Sequence, residues 1–546
     1  MDSPHRVVYE TETRLSDSLL WKLQEHYYSQ CGQEAWDHIP FYPTSNPYIG
    51  ETYAELIVSV LLDVADTLTP EAPIYILELA TGTGTFSYYL LKELVAKAAC
   101  FSALRPLRFC YVMTDFTANN VEAWKANPML QPFLEAGQLD FAVYRPEDDD
   151  QLFLHLAQQP LKAGAVLNPL FAIANYFFDS IHQDVFQVSN HHLSEVCLTW
   201  SAAFNPPADP PVELYGSTAE QARLMGRLEK TESYRPAVMP YYEDPVMNQV
   251  LNDYAKFYEK GSILFPLGAL RCVQNLLRLS STNLVLISSD KGFTDTDYMQ
   301  GHFAHNITPH HGAFSYMVNY NAIGQYFEKL GGVSLLTQER NPILSTALCA
   351  RIAKAPGNPL ERTTYAFQQK LHQQNKLNDL YYCQSFIFAA DERSPSDWFN
   401  SYMAMLRVAH FDPIIFCGLA DKLYDTLHGL DTSQRTLLLE ALDRVKGNLY
   451  SVRPEHNALF WMGKLYYGLS MVEEAMATFQ ASVDRFGETE CYSMYHLGAC
   501  SEFLKNYPEA LAYFQKAQKV LTDCELTAGA VTRMAAKVAE LSPQSS

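Results

Sequence analysis

No run of the 546-residue chain approaches the roughly eighteen uninterrupted apolar residues of a membrane span, so none is expected to cross a bilayer. The opening stretch MDSPHRVVYETETRLSDSLLW has no apolar core and carries several acidic residues, so neither a secretory signal nor a transit peptide is expected. Basic charge is scarce: 40 Lys and Arg against 61 Asp and Glu leave a formal net charge of -21. That balance argues against nucleic acid or an anionic membrane as the main partner, because phosphate binding needs a basic face. The eleven cysteines, scattered from Cys31 to Cys524, include no C-x-x-C pair and no zinc-like spacing. They read as reduced thiols, so no disulfide frame and no metal site is expected, and the setting read from these features is cytoplasmic.

What remains is a globular composition, 48% hydrophobic and 13% aromatic, in a chain too long for one core. Residues 1–70 read as an N-terminal helical segment. From Ile74 the chain alternates strand and helix: strands are expected at Ile74–Leu79, Phe109–Thr114, Leu139–Tyr144 and Phe171–Phe177, with a helix over Phe86–Ala99. Residues 185–260, with the proline-rich Asn205–Pro211, interrupt the rhythm and read as an insertion. The alternation resumes with a helix at Leu267–Leu279, a strand at Asn283–Ser288, a helix at Asn321–Leu330 and strands at Val333–Thr337 and Thr346–Ile352. The expected fold is therefore α/β over 71–354, a mainly parallel sheet closing in an antiparallel hairpin. After the linker Ala355–Pro359 an all-α domain is expected over 360–546. There Gly463, Ala475 and Phe479 are matched by Gly498, Ala510 and Phe514 at an offset of 35 residues (498 − 463), the small–small–aromatic pattern of TPR helix pairs. Such a domain implies a protein or peptide partner.

The segment that carries chemistry is Ile74–Phe86, a strand ending in Glu78 that turns through Ala80, Thr81, Gly82, Thr83 and Gly84 into a helix. Glycines let backbone approach a ligand, and a helix N-terminus presents free N–H groups. No Lys-Ser/Thr pair follows the second glycine, which disfavours a P-loop. Asp115 closes the next strand, where a carboxylate grips ribose hydroxyls. A dinucleotide would use the same placement, and a tight turn without ligand is the plain alternative. The spacing E-x-A-T-G-T-G favours S-adenosylmethionine, with Glu78 near its methionine end and Glu147, after the third strand, near its adenine. His302, His305, His310 and His311 flank Pro309 and Gly312, so this segment reads as a loop. It suits covering a substrate pocket, with one histidine as acid or base, better than holding a metal.

Four stretches in order resemble the MidA-like methyltransferases, the family of the complex I assembly factor that dimethylates an arginine. They are Tyr48–Ile57, Glu78–Phe86, Ala174–Phe186 and Val285–Phe293, the last continued by Tyr316–Gly332, and together they span roughly residues 45–355. The resemblance implies a Rossmann-like class I methyltransferase sheet, S-adenosylmethionine as cofactor and an acceptor site at the N-E-x-x-D-type segment. There Asn175 would hold acceptor or donor through its amide, Asp179 would orient or deprotonate it, and Tyr176 and Phe177 would wall the pocket. A strand-end cap and a helix N-cap account equally for Asn175 and Asp179. The family's glutamate is Tyr176 here, its first turn glycine is Ala80, its proline is His182 and the tyrosine of its D-Y-G is Lys291. Three readings stay open: methylation of a protein side chain, of the arginine type among others; a degenerate fold serving as scaffold or assembly factor; and a small-molecule methyltransferase.

Overall fold

Ile74–Glu78 (β1) reads IYILE, and every one of its residues is buried. Continuous apolar runs of this kind arise where a strand is covered on both faces. β1 lies inside a seven-stranded sheet with Phe109–Asp115 (β2), Leu139–Val143 (β3), Leu170–Asn175 (β4), Asn283–Asp290 (β5), Val333–Leu336 (β6) and Ser345–Ile352 (β7). The order is 3-2-1-4-5-7-6. β1 to β5 run parallel, while β7 is antiparallel to both β5 and β6. This is the Rossmann-like sheet of class I methyltransferases, closed by the hairpin expected from the sequence. The strand order reverses between β1 and β4, so the crevice for a ligand lies at the carboxyl ends of those two strands. The computed structural model describes residues 5–31, 44–206, 208–296, 307–338, 344–372, 395–450, 454–522 and 524–541.

The helix Pro47–Asp63 packs on Thr85–Ala99, the helix that follows the glycine turn. They come close at Gly50, where an added Cβ would stand 2.6 Å from the Tyr89 Cβ and 2.9 Å from its backbone carbon. Gly50→Val is therefore expected to lower the urea midpoint, by an overpacking cost of about 1–3 kcal/mol. Circular dichroism during urea unfolding reads it, and an unchanged midpoint would refute the close approach.

The expectation for the N-terminal segment is corrected. Residues 1–70 are not wholly helical: His5–Arg14 is a strand, paired antiparallel with His192–Phe204. Its partner lies nearly two hundred residues away, and pairing at that separation leaves no local signature. The stretch read as an insertion supplies most of this second sheet, with Asp184–Ser189, Glu229–Pro236 and Lys260–Phe265 joining the same antiparallel array. The strand is fastened where the Arg14 guanidinium meets the buried Asp184 carboxylate, which also accepts from the Tyr242 hydroxyl at 2.7 Å. A buried charge pair of this kind holds a register firmly, because separating it would strand a charge in the core.

The chain divides into two compact units, Met1–Asn378 and Asp379–Ser546. Helix Glu361–Phe367, read from sequence as the start of the all-α domain, lies in the first unit. Asp63 caps it, accepting from the backbone N–H groups of Arg362 and Thr363. The described part of the second unit is helical throughout. Within it Gly463 faces the Phe479 ring, 2.7 Å from where a Cβ would stand, and Gly498 faces Phe514 at 2.8 Å. The repeated Gly–Phe pairs are thus repeated close packings of helix on helix. Among the described residues no helix is long and apolar enough to cross a membrane.

Candidate active site

Three residues of the turn after β1 adopt left-handed backbone: Ala80 at φ +52°, Gly82 at +62° and Gly84 at +81°. For alanine that conformation costs about 1–2 kcal/mol, so the surroundings must hold it. They do. Thr81 N–H donates to the Thr114 carbonyl at 2.8 Å, Thr114 N–H donates to the Thr81 hydroxyl at 3.2 Å, and the Trp124 indole N–H donates to the Gly82 carbonyl at 2.9 Å. Thr83 and Thr85 join through their hydroxyls at 2.8 Å where the helix begins.

Above the turn lies a cavity of about 230 Å³. Ala80, Asp115, Glu147, Tyr176 and Phe177 lie on its wall, so five of the residues singled out from sequence converge there. Glu78 does not. Its carboxyl is buried beneath the turn and accepts from the Ser87 hydroxyl and, at 2.8 Å, from Tyr111. Burial pushes its pKa up to about 7, against the opposing pull of those hydrogen bonds. Thr81, Gly82, Thr83 and Gly84 shape the turn, while Ala80 is its member on the wall. Asp115 ends β2 and accepts from Thr117 N–H at 3.0 Å and from the Asn120 amide at 2.8 Å. Burial nevertheless raises its pKa.

Glu147 binds His182 at 2.8 Å. Room for this pair comes from Gly268, where any Cβ would collide with the Glu147 carboxylate. Burial works to lower the His182 pKa, but the hydrogen bond and charge of Glu147 prevail and raise it. With its folded pKa raised, His182 stabilises the fold at low pH, and this contribution is lost as pH rises through that folded value. Glu147→Gln is expected to lower the His182 pKa, read from its ring protons by NMR; an unmoved titration would break the assignment.

The sequence reading missed the roof. Helix Leu19–Cys31 places Trp21, Gln24, Glu25 and Tyr28 on the cavity. The Trp21 ring lies 5.2 Å from that of His182, its N–H is tied to the Leu15 carbonyl at 2.7 Å, and the Gln24 amide donates to the Ser180 carbonyl at 2.8 Å. The only trace in sequence is the i, i+7 spacing of Trp21 and Tyr28, which any amphipathic helix shows.

The acceptor segment follows β4. Asn175 Oδ1 accepts from the Tyr53 hydroxyl at 2.8 Å and from Ser289 N–H at 3.1 Å, while its buried Nδ2 has no hydrogen-bond partner. Tyr53 belongs to the stretch Tyr48–Ile57, which gives that stretch a place beside the site. Tyr176 sits at φ +47° with its ring on the cavity wall. Asp179 is buried beside Asp290, which accepts from Asp179 N–H at 3.2 Å, and the Asp179 Oδ1 accepts from the Ser180 hydroxyl at 2.7 Å. Burial pushes Asp179 up to about 6, and burial together with the Asp179 charge pushes Asp290 much further. Two adjacent carboxyls out of water hold one proton between them. Asp290, the last residue of β5, is a fully buried partner of Asp179. His302 and His305 lie outside the described residues, and among those described no group of three His, Cys, Asp or Glu is placed to hold a metal ion.

Residues 457–489 match the tetratricopeptide repeat family. No curated protein matches the chain. Two solved structures from Burkholderia thailandensis are similar to it. One is an uncharacterized ACR, COG1565 superfamily protein, 12% identical over 62% of this chain and 87% of its own, with a TM-score of 0.36. The other is a COG1565 superfamily member bound to S-adenosyl-homocysteine, 13% identical over 63% of this chain and 89% of its own, with a TM-score of 0.38.

Proposed function

We propose that the first unit is an S-adenosylmethionine-dependent methyltransferase acting on a protein side chain, and that the TPR-like unit recruits a protein or peptide partner. The observation that carries the reading is the left-handed Ala80–Gly84 turn, which opens at the strand-order reversal onto a cavity whose wall holds Asp115. The wall also fits a polar ligand. Tyr144 Oη and Asn120 Oδ1 are buried on it with no hydrogen-bond partner, and a nucleoside would satisfy such atoms.

In this reading Asp115 receives ribose hydroxyls, Glu147 with His182 and Trp21 borders the base, and Ala80 gives backbone access to the amino-acid end. When bound, S-adenosylmethionine supplies an electrophilic methyl group on a sulfonium. The chain's own part is alignment and exclusion of water, a contribution of up to ~7–11 kcal/mol in favourable cases. The roof helix keeps water out. The Asp179–Asp290 pair, with one negative charge, favours an acceptor that is cationic or loses a proton, of which an arginine side chain is one. Calorimetry with S-adenosylmethionine and transfer of tritiated methyl to lysate proteins test the proposal together. Micromolar binding with label in protein is expected. Label only in small molecules would move the acceptor class, binding without transfer would favour a scaffold, and no binding would end the enzymatic reading.

A further inference from the structure

Five side chains on the cavity wall carry nitrogen, and four of them are already engaged. The Trp21 indole donates to the Leu15 carbonyl at 2.7 Å and the Gln24 amide to the Ser180 carbonyl at 2.8 Å. The Asn120 amide donates to Asp115 at 2.8 Å, and the Arg145 guanidinium to Glu25 at 2.6 Å. The fifth is His182. Its Nδ1 is held by Glu147 at 2.8 Å, while its Nε2 has no partner among the described residues. The ring is fixed from three sides: Trp21 lies 5.2 Å away, Gly268 N–H donates to the His182 carbonyl at 2.7 Å, and Glu147 fills the space that a side chain at Gly268 would take. The Glu147 side chain is 12% exposed and that of His182 37%, so the ring, rather than the carboxylate, meets a ligand in the cavity.

We propose that His182 binds the base of the cofactor as an imidazolium, donating Nε2–H to a ring nitrogen, so that cofactor binding takes up a proton. The proposal rests on the methyltransferase reading above. The edge of an adenine base presents ring nitrogens as acceptors, and an imidazolium offers a donor at each of its two nitrogens. One donor is spent on Glu147, which also balances the charge, and the other is left for the base. A neutral imidazole has a single N–H. With Glu147 holding it at Nδ1, Nε2 would turn a lone pair toward the lone pairs of the base. The charged groups around the ring are Glu147 and Asp148 from the loop after β3 and Arg271 from the helix Leu267–Leu279, with the Glu25–Arg145 pair on the same wall. Burial and Arg271 oppose protonation; Glu147 and Asp148 favour it and prevail, so the charged ring persists toward neutral pH.

Calorimetry with S-adenosyl-homocysteine on the full-length protein, from about pH 6 to about pH 9 and in buffers of different ionisation enthalpy, tests the proposal. The comparison is with His182→Gln, which keeps a neutral donor and has no ring to titrate. Asp115 and Asp179 remain in that variant, so their own titration cancels in the ratio of the two affinities. The ratio of wild type to variant is expected to fall ~10-fold or more as pH rises through the folded His182 value, as a hydrogen bond to a charged donor is lost. Over the same range the wild type should draw a proton from the buffer on binding. Glu147→Gln should shift the fall to lower pH by the interval through which it moves the His182 titration in NMR. A packing role for His182 would move neither. Among analogues of S-adenosyl-homocysteine with one ring nitrogen of the base replaced by C–H, one should bind at low pH as weakly as the parent does at high pH. A ratio that is flat or rises with pH overturns the proposal, and so does full pH dependence in every analogue. Absence of binding at any pH would instead overturn the methyltransferase reading, and this inference with it.

Discussion

Gly82→Val is expected to weaken S-adenosylmethionine binding by at least ~100-fold, close to 2.7 kcal/mol, while leaving cooperative unfolding in place. Gly82 holds φ +62°, a conformation in which a β-branched residue is a true outlier. Valine would drive the turn toward another backbone shape. The Gly82 carbonyl would then leave the Trp124 indole N–H, and Ala80, two residues earlier in the same strained turn, would shift on the cavity wall. The sheet beneath is held by ladder bonds from β2 and β4 and does not depend on the turn. Calorimetry reads the affinity and thermal unfolding checks the fold. A variant that binds as tightly as wild type would remove the turn from the site.

Asp179→Asn is expected to reverse the usual relation between a mutation's effects on stability and on activity. The Asp179 carboxyl has its folded pKa raised from 3.8 to about 6 by burial, so the folded state holds a proton that the unfolded state has already released between those values. Its unfavourable contribution is absent below pH 4, grows as pH rises and is complete above pH 6. The difference of about two pKa units corresponds to on the order of 3 kcal/mol. Asparagine carries no such charge, so the variant should unfold at higher temperature than wild type above pH 6 and should match it at pH 4. Methyl transfer should meanwhile fall by ~10²–10⁴, the range for loss of a positioned base, with cofactor affinity retained. A variant less stable than wild type at pH 8 would show that Asp179 is a structural cap. Full activity would show that the acceptor loses its proton elsewhere.

These expectations rest on residues of unequal visibility in the sequence. The turn Ala80–Gly84 was readable because strand, small residues and helix follow one another within a dozen positions, and Asp115 because it closes the next strand. Glu78 was placed on the ligand by the same logic, yet it lies under the turn with Ser87 and Tyr111, partners that emerge from a helix and a neighbouring strand. Asp290 ends β5, and nothing near it in the sequence marks its partner. Only the parallel pairing of β4 with β5 brings it against Asp179, more than a hundred residues earlier in the chain.

By itself, the sequence determined the α/β alternation, the order of the sheet's strands along the chain, the glycine turn and the 35-residue repeat of the helical unit. Each of these is a local pattern of period, composition or spacing, and local patterns survive in one dimension. The tertiary structure alone decided that the N-terminal segment both adds a strand to the second sheet and roofs the cavity, that His182 joins Glu147, and that Asp179 lies beside Asp290. Those are encounters between distant residues, set by which strands pair and how the layers pack, and a polar side chain gives no sign of its partner until the fold has brought them together.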